Sequence, residues 1–278
     1  MRVLCLSDIH DEESSVSNVM EKLNREQFDV IFIAGDFTST PVTIVDDALQ
    51  IKIQHKLIKK YTMMLYEAFQ KPVYYVLGNH ECIHAVYEDE NIHHVGGKAI
   101  NLGDFTLLGQ DGSSTSVQYE KNSVNYLGGY PWGVSKMDIL CSPNTPRAEM
   151  DESKFFLNSF ISFKRGDLSY EDLKTCLNNV QVLSSPQYEN LNRLKTQKPL
   201  IILSHQGPAS SLTTFYVNDK KPKLSASGSP ALHQFYTENK QMIKRWFHGH
   251  THYPLQSEDQ NVCICGPTFK EKYYVREI

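Results

Sequence analysis

The sequence predicts an α/β fold, and three observations lead to this prediction. The first 36 residues contain an apolar strand, a helix and a second apolar strand, which is the opening of a βαβ unit. A long amphipathic helix follows. Further short apolar runs recur along the chain, and polar residues stand directly after most of them. We therefore expect parallel strands covered by helices, in a single domain that spans residues 1–278.

In the first third of the chain, strands are predicted at 2–7, 29–34 and 73–77, with a helix at 14–27. The long helix is predicted over 46–69, where apolar residues recur at steps of three and four and form one buried stripe. The residues of this stripe are Leu49, Ile53, Leu57, Tyr61, Leu65 and Ala68. The four lysines of the same helix are expected to face solvent.

Strands are also predicted in the rest of the chain, at 105–108, 200–203, 262–265 and 273–275, with a weaker strand before His248. Helices are expected within 170–195 and from Pro230 to about 243, and His93-His94 is expected in a loop.

Two segments break the regular pattern. The aromatic, irregular stretch at about 114–165 is predicted to be an insertion, and the polar stretch at about 209–229 a mobile loop. Loops on a rigid scaffold usually determine recognition, so both are candidate specificity elements. Within the insertion, Tyr126, Tyr130 or Trp132 could stack on a nucleobase, although packing inside the insertion is the more ordinary explanation of these side chains.

Composition excludes several classes of protein. The 278 residues include 40% hydrophobic and 22% charged residues, which is typical of a globular protein and not of a disordered one. No apolar run approaches the ~18 residues of a membrane span. The net charge of −4 makes extended nucleic acid an unexpected partner. The six cysteines form no CxxC pair and the first residues form no secretion signal, so free thiols and a cytoplasmic location are expected.

The candidate site consists of polar residues that follow the predicted strands. The carboxyl ends of parallel strands meet at one edge of a sheet, so residues distant in sequence can converge there. Imidazole, carboxylate and amide donors together suit a borderline divalent metal. The residues concerned are Asp8, His10, Asp36, Asn79, His80, His205, His250 and His252. His248 is expected to pack or to orient a neighbour and not to bind the metal.

The same residues form a series of short motifs. They read Asp8-x-His10, Gly35-Asp36, Gly78-Asn79-His80-Glu81, His205 and Gly249-His250-x-His252. This series resembles the calcineurin-like metallophosphoesterase family, with all five blocks in the family's order between residue 3 and about residue 266. The resemblance implies two β-sheets packed as a sandwich and flanked by helices, with two metal ions at the edge of the sheets.

The resemblance also implies a role for each residue. One ion would be held by Asp8, His10 and His252, and the other by the remaining three donors, with Asp36 bridging both. Those three donors are Asn79, His205 and His250. His80 would face the substrate, either as the acid that protonates the leaving group or as a charge-stabilising residue.

The implied reaction is hydrolysis of a phosphodiester or phosphomonoester by attack of metal-bound hydroxide. Two divalent ions outweigh the charges of Asp8 and Asp36, and the positive charge that remains suits an anionic phosphoester. The donor set accepts manganese, iron, zinc, cobalt or nickel, with manganese favoured. The expected partner is a small phosphoester; the substrate-binding residues are not predicted.

Two alternatives to this enzyme remain open: a catalytically silent metal-binding scaffold and a nuclease of the same superfamily. A protein serine/threonine phosphatase is disfavoured. That branch carries Asp-Arg-Gly at its second motif, whereas this chain reads Gly35-Asp36-Phe37 and lacks the arginine that clamps phosphate.

Overall fold

Two β-sheets pack face to face in the computed structural model, and helices cover their outer faces. The structure describes residues 1–39, 47–82, 84–112, 116–120, 123–127, 186–209, 211–217, 224–226, 228–252, 255–259, 262–266 and 274–278. The strands are β1 (Arg2–Leu6), β2 (Val30–Ala34), β3 (Val73–Val76), β4 (Ile92–His94), β5 (Ala99–Leu102), β6 (Phe105–Gln110), β7 (Ser116–Glu120), β8 (Ser123–Leu127), β9 (Leu200–Ser204), β10 (Phe215–Val217), β11 (Leu224–Ala226), β12 (Ile243–Phe247), β13 (Leu255–Asp259), β14 (Val262–Gly266) and β15 (Tyr274–Glu277). The helices are α1 (Glu13–Lys22), α2 (Asp47–Phe69), α3 (Pro186–Leu194) and α4 (Pro230–Asn239), with 3₁₀ turns at Arg25–Gln27 and Leu212–Thr214.

Both sheets are mixed, with parallel strands in the centre and antiparallel strands at an edge. The first has the order β15-β1-β2-β3-β4, in which only β15 runs antiparallel to its neighbour. The second has the order β13-β14-β12-β9-β6-β5, in which β13 and β5 are antiparallel to theirs. The predicted two-sheet fold with flanking helices is therefore confirmed.

Apolar side chains fill three layers around these sheets. One cluster lies between the sheets and includes Phe32 from β2 and Phe247 from β12, whose ring centroids are 5.5 Å apart. A second packs the outer face of the first sheet against α1 and α2, and a third packs the second sheet against α3 and α4. Every residue of β2 and β9 is buried, which explains why these strands read as continuous apolar runs.

Helix α2 occupies the predicted range, but its buried stripe is rotated from the predicted one. Tyr61 and Leu65 are buried as expected, whereas Leu49 and Ile53 are 49% and 37% exposed. Ala68 is exposed as well. The buried stripe instead consists of Gln54, Ile58, Tyr61, Thr62, Leu65 and Phe69. The sequence pattern is built from apolar residues only, so it misses a buried face that includes the polar side chains of Gln54 and Thr62.

The prediction that His93-His94 lies in a loop is wrong, because both residues lie in β4. This three-residue strand pairs in parallel with β3, with His93 opposite Tyr74 and His94 opposite Tyr75. His94 also bonds the carboxylate of Asp111 through Nε2, at 3.0 Å from each oxygen.

Much of the predicted insertion at 114–165 lies outside the described residues, including Tyr130 and Trp132. The described part is the antiparallel hairpin β7–β8, and Tyr126 lies in β8. Within the predicted loop at 209–229, the structure has the 3₁₀ turn Leu212–Thr214 and the hairpin β10–β11. Of the helices expected at 170–195, the structure describes α3. No helix among the described residues has an apolar stretch that could cross a bilayer.

Candidate metal centre

The loops that follow β1, β2, β3, β9 and β12 meet at one edge of the two sheets. The amide of Asp8 donates to the carbonyl of Gly35 at 2.9 Å, which joins the first two loops. The amide of Gly249 donates to the carbonyl of His205 at 2.8 Å, which joins the loops of the second sheet. The amide of His250 donates to the Asp8 carboxylate at 3.0 Å and thereby links the two sheets.

These loops approach so closely that two of the glycines have no room for a side chain. A Cβ added to Gly78 would lie 1.9 Å from Oδ1 of Asp36, and one added to Gly249 would lie 2.6 Å from Oδ2 of Asp8. The glycines of the sequence motifs therefore let the backbone pass directly against the candidate ligands.

Backbone strain is concentrated at the same place. Seven non-glycine residues among those described have a positive φ, and five of them are predicted site residues. The five are Asp8, His10, Asp36, His250 and His252, with φ between 47° and 67°. A left-handed conformation costs roughly 1–2 kcal/mol for each such residue. Strain of this kind persists where the surrounding structure holds side chains in an arrangement that serves a site.

Four of the predicted ligands form one compact group. Their ligand atoms all lie within 4.8 Å of one another, and the residues are Asp8, His10, Asp36 and His252. Nε2 of His252 lies 3.0 Å from Nε2 of His10 and 3.2 Å from Oδ1 of Asp8. Two imidazole nitrogens facing each other beside buried carboxylates match the donor chemistry of a divalent cation.

The other three predicted ligands meet at the ring of His205. Its Nε2 lies 2.9 Å from Oδ1 of Asn79 and 3.2 Å from Nδ1 of His250. The same Nε2 lies 3.3 Å from Oδ2 of Asp36. Because Oδ2 of Asp36 is also 3.7 Å from Nε2 of His10, this one carboxylate adjoins both groups.

Hydrogen bonds to backbone carbonyls fix which ring nitrogen of His205 and of His10 faces the centre. Nδ1 of His205 donates to the carbonyl of Ala34 at 2.8 Å, so Nε2 is turned towards Asn79 and Asp36. Nδ1 of His10 lies 3.3 Å from the carbonyl of Thr38 in the same manner. Metal-binding histidines commonly donate their second ring N–H to a carbonyl, which sets the tautomer. The residues present therefore fit a metal centre.

The buried carboxylates give the centre a negative potential. Burial alone would raise the pKa values of Asp36 and Asp8, but the neighbouring histidines lower both overall, through His205 for Asp36 and through His252 for Asp8. Burial disfavours the charged form of His205, yet the charge of Asp36 raises its pKa to about 9. Burial and the adjacent His205 lower the pKa of His250 to about 3. The centre thus attracts positive charge.

His80 lies at the border between this centre and solvent. Its Nε2 is 3.8 Å from Oδ2 of Asp36, and 27% of its side chain is exposed. Its ring meets that of His10 edge to face, with centroids 4.9 Å apart. Burial lowers the pKa of His80, and the charge of Asp36 offsets part of this decrease. The ring therefore adjoins the shared carboxylate and can be reached from outside.

Glu81 belongs to the centre although it is not among the predicted site residues. Its buried carboxylate accepts from the amides of Asp36, Gly78 and Thr38 at 3.0, 2.7 and 3.0 Å, and from the Thr38 hydroxyl at 3.1 Å. Burial and the charge of Asp36 raise the pKa of Glu81 to about 8, and the amide donors offset part of this rise. The signal available in the sequence is the position of Glu81 at the end of the Gly78–Glu81 motif.

His248 is turned away from the predicted ligands. It is fully buried, its Nε2 lies 2.6 Å from the hydroxyl of Thr213, and its Nδ1 lies 2.9 Å from the carbonyl of Gly249. Burial lowers its pKa to about 4. These contacts place His248 against the backbone that carries His250, and its supporting role at the site stays a prediction.

Comparison with known proteins places the chain in a family. A solved dimetal phosphatase from Danio rerio aligns with a TM-score of 0.52 and 12% identity, over 98% of this chain and 88% of that chain. The protein TT1561 of Thermus thermophilus aligns with a TM-score of 0.50 and 11% identity, over 99% of this chain and 97% of that chain. These likenesses show a shared fold. No curated protein matches the sequence. The family model for calcineurin-like phosphoesterases matches residues 1–254, and the chain belongs to that family.

Proposed function

We propose that this chain is a phosphoesterase that uses two divalent metal ions to hydrolyse a small phosphodiester or phosphomonoester. The observation that carries the proposal is the position of Asp36 between two groups of donors. Its Oδ2 lies 3.7 Å from Nε2 of His10 in one group and 3.3 Å from Nε2 of His205 in the other. A carboxylate shared in this way is suited to bridge a pair of ions.

The ligand sets follow from this division. We assign Asp8, His10 and His252 to one ion, and Asn79, His205 and His250 to the other, with Asp36 common to both. The description of the Danio rerio relative as a dimetal phosphatase is consistent with two ions. Manganese is the favoured metal, and the same nitrogen and oxygen donors also accept iron, zinc, cobalt and nickel.

Two ions held by these residues would supply Lewis acidity, to activate water and to offset the charge of the phosphoester. The protein's own residues supply orientation and proton transfer. Asp36 sits between the two donor groups and fixes their separation, while the carbonyls of Ala34 and Thr38 hold the rings of His205 and His10. His80 adjoins Asp36 from the solvent side, where it can donate from its ring nitrogen to the leaving oxygen.

The substrate class follows from charge. The chain has a net charge of −4, so it lacks the excess of lysine and arginine with which proteins hold several phosphates of a nucleic acid. A small phosphoester needs only the positive charge of the metal centre. A cytoplasmic location remains a prediction from the cysteines, of which Cys5 and Cys82 are buried thiols.

Hydrolysis by metal-stripped protein reconstituted with Mn²⁺ tests the proposal. The probes are bis(p-nitrophenyl) phosphate and p-nitrophenyl phosphate, and their ratio of rates identifies the preferred ester class. We expect turnover by the wild type, and loss of both turnover and one bound ion in Asn79→Ala. We expect His80→Ala to bind both ions and to lose roughly 10²–10⁴ in kcat.

Two results would contradict the proposal in different ways. Absence of turnover with every one of the five metals would favour the catalytically silent scaffold. Cleavage of an oligonucleotide, combined with no turnover of the small probes, would favour the nuclease.

A further inference from the structure

Helix α2 reaches the loop that carries His80 through a buried side chain, Gln54. The side chain is 1% exposed. Its Nε2 donates to the carbonyl of His80 at 2.8 Å, and its Oε1 accepts from the amide of Cys82 at 2.7 Å. One planar amide therefore pairs with the backbone on both sides of Glu81, although 26 residues separate Gln54 from His80 in the sequence.

The backbone of His80 is consequently held from two directions. Its amide donates to Oδ1 of Asp36 at 3.2 Å, while its carbonyl accepts from Gln54. With both peptide groups of His80 bonded, its φ and ψ angles are fixed, and so is the direction in which its Cβ leaves the chain. The ring itself is 27% exposed, and it meets the ring of His10 with centroids 4.9 Å apart. The two backbone bonds therefore set the point from which the ring reaches towards the shared carboxylate.

The identity of residue 54 is informative because of its place in α2. Gln54 lies one turn before Ile58 on the buried stripe, where an apolar side chain is the ordinary occupant. An apolar residue would leave the His80 carbonyl and the Cys82 amide without this partner. Glutamate can accept from Cys82 but, when ionised, cannot donate to His80. Glutamine meets both requirements.

We infer that Gln54 is a positioning residue for His80: it holds the His80 peptide so that the imidazole faces the leaving oxygen of a phosphoester bound beside Asp36. This inference rests on the proposed function, in which His80 assists departure of the leaving group. It adds a residue of α2, outside all five sequence motifs, to the machinery of the reaction.

The test replaces Gln54 with methionine, an unbranched apolar side chain of similar length, and compares two leaving groups. The probes are p-nitrophenyl and phenyl esters of phosphate, of whichever ester class the wild type hydrolyses, with Mn²⁺ as the metal. The p-nitrophenolate ion leaves without a proton, whereas phenolate depends more strongly on receiving one. We expect kcat of Gln54→Met to fall about tenfold to a hundredfold for the phenyl ester and much less for the p-nitrophenyl ester.

A double-mutant cycle identifies the route of the effect. In a His80→Ala background, Gln54→Met should lower kcat by no more than about twofold, because the group that it positions is already missing. The affinity for Mn²⁺, measured by calorimetry, should stay within about twofold of the wild type. If Gln54→Met does not fold, Gln54→Glu serves in its place: assayed at a pH at which this carboxyl is ionised, it keeps the acceptor for Cys82 and loses the donor to His80.

Thr62→Val is the matched control. Thr62 is buried on the same helix, but its hydroxyl bonds to the carbonyl of Ile58 within the helix, at 2.8 Å. Its substitution should leave kcat and the leaving-group dependence unchanged.

Two outcomes would overturn the inference while leaving the proposed function intact. One is an equal loss of kcat from Gln54→Met in the wild-type and His80→Ala backgrounds. The other is a tenfold or greater loss of Mn²⁺ affinity, which would show that Gln54 supports the metal ligands instead of His80. Wild-type protein without turnover would overturn the proposed function itself, and the inference with it.

Discussion

Replacement of Glu81 by glutamine should loosen the two loops that carry Asp36 and His80. The Glu81 carboxylate is fully buried and accepts through Oε2 from the amides of Asp36 and Gly78. Through Oε1 it accepts from both the amide and the hydroxyl of Thr38. Glutamine offers one accepting oxygen and one donating NH₂ group. The NH₂ group of glutamine must therefore face N–H or O–H groups that are themselves donors.

The magnitude follows from the less costly of the two orientations. The oxygen of the amide then faces Asp36 and Gly78, and its NH₂ group faces Thr38. The hydroxyl of Thr38 can rotate and accept, but the Thr38 amide is left buried without a partner, which costs about 1–3 kcal/mol. Below pH 8 the wild-type carboxyl is itself neutral, so glutamine removes no buried charge, and the hydroxyl oxygen of the acid can still accept from the Thr38 amide whereas the NH₂ group cannot. We expect a loss of about 1–3 kcal/mol in the free energy of unfolding.

Urea denaturation in EDTA measures this loss without the contribution of metal binding. It is best done near pH 6, below the pKa of about 8, because above that pKa the buried charge of the wild-type Glu81 would itself lower the free energy of unfolding. A second measurement, Mn²⁺ affinity by calorimetry, should show a decrease of about 10–100-fold, as is typical when a group that orients metal ligands is changed. Glu88→Gln is the matched control, since Glu88 is 47% exposed and pairs with Lys98 at 2.7 Å. It should change stability by less than ~1 kcal/mol.

A Glu81→Gln protein with the unfolding free energy and the Mn²⁺ affinity of the wild type would refute this reasoning. It would mean that the loops keep their positions without the carboxylate, and that the four hydrogen bonds at Glu81 are a consequence of the site's shape and not its support.

The remaining predictions concern the glycine contacts, the core and the metals. Gly78→Ala should lower Mn²⁺ affinity in a calorimetric titration, because the new Cβ would lie 1.9 Å from Oδ1 of Asp36. Gly103→Ala should leave Mn²⁺ affinity unchanged, because Gly103 has a positive φ but no atom within 4 Å of the new Cβ. Equal Mn²⁺ affinities of the two variants would contradict the crowding argument. Phe247→Ala should lower the free energy of unfolding, measured by urea denaturation, by about 3–5 kcal/mol, because the buried ring of Phe247 packs on Phe32 between the sheets. A loss below ~1 kcal/mol would contradict this prediction. Mn²⁺ at about 100 times the Kd of each site should stabilise the wild type by about 2.7 kcal/mol for each of the two bound ions, measured by thermal denaturation, and Asp36→Ala should lose most of this gain. An unchanged gain would exclude Asp36 as a ligand.

The strands that carry the site could be predicted because parallel strands buried on both faces read as short apolar runs. The polar residue after each run marks the edge of the sheet. The sequence alone therefore predicts that Asp8, Asp36 and His205 lie at one edge. Their distances could not be predicted. The separation of 3.3 Å between Asp36 and His205 results from how the two sheets face each other, which no local pattern encodes.

Other features do not show in the sequence, for identifiable reasons. Strand β4 has only three residues, two of them histidines, and its pairing with β3 depends on backbone bonds that leave no apolar pattern. The predicted stripe of α2 is misplaced because Gln54 is buried for its two backbone bonds, while Ile53 beside it is 37% exposed. Glu81 stands in a recognised motif, but its role depends on three amides brought together by the fold.

The most direct test of the central claim is anomalous scattering from crystals of the protein grown with Mn²⁺. We predict two peaks about 3.5–4 Å apart. One should lie among Asp8, His10 and His252 and the other among Asn79, His205 and His250, with the carboxylate of Asp36 in contact with both. A single peak, or a pair of peaks that Asp36 does not join, would contradict the account of a two-metal phosphoesterase.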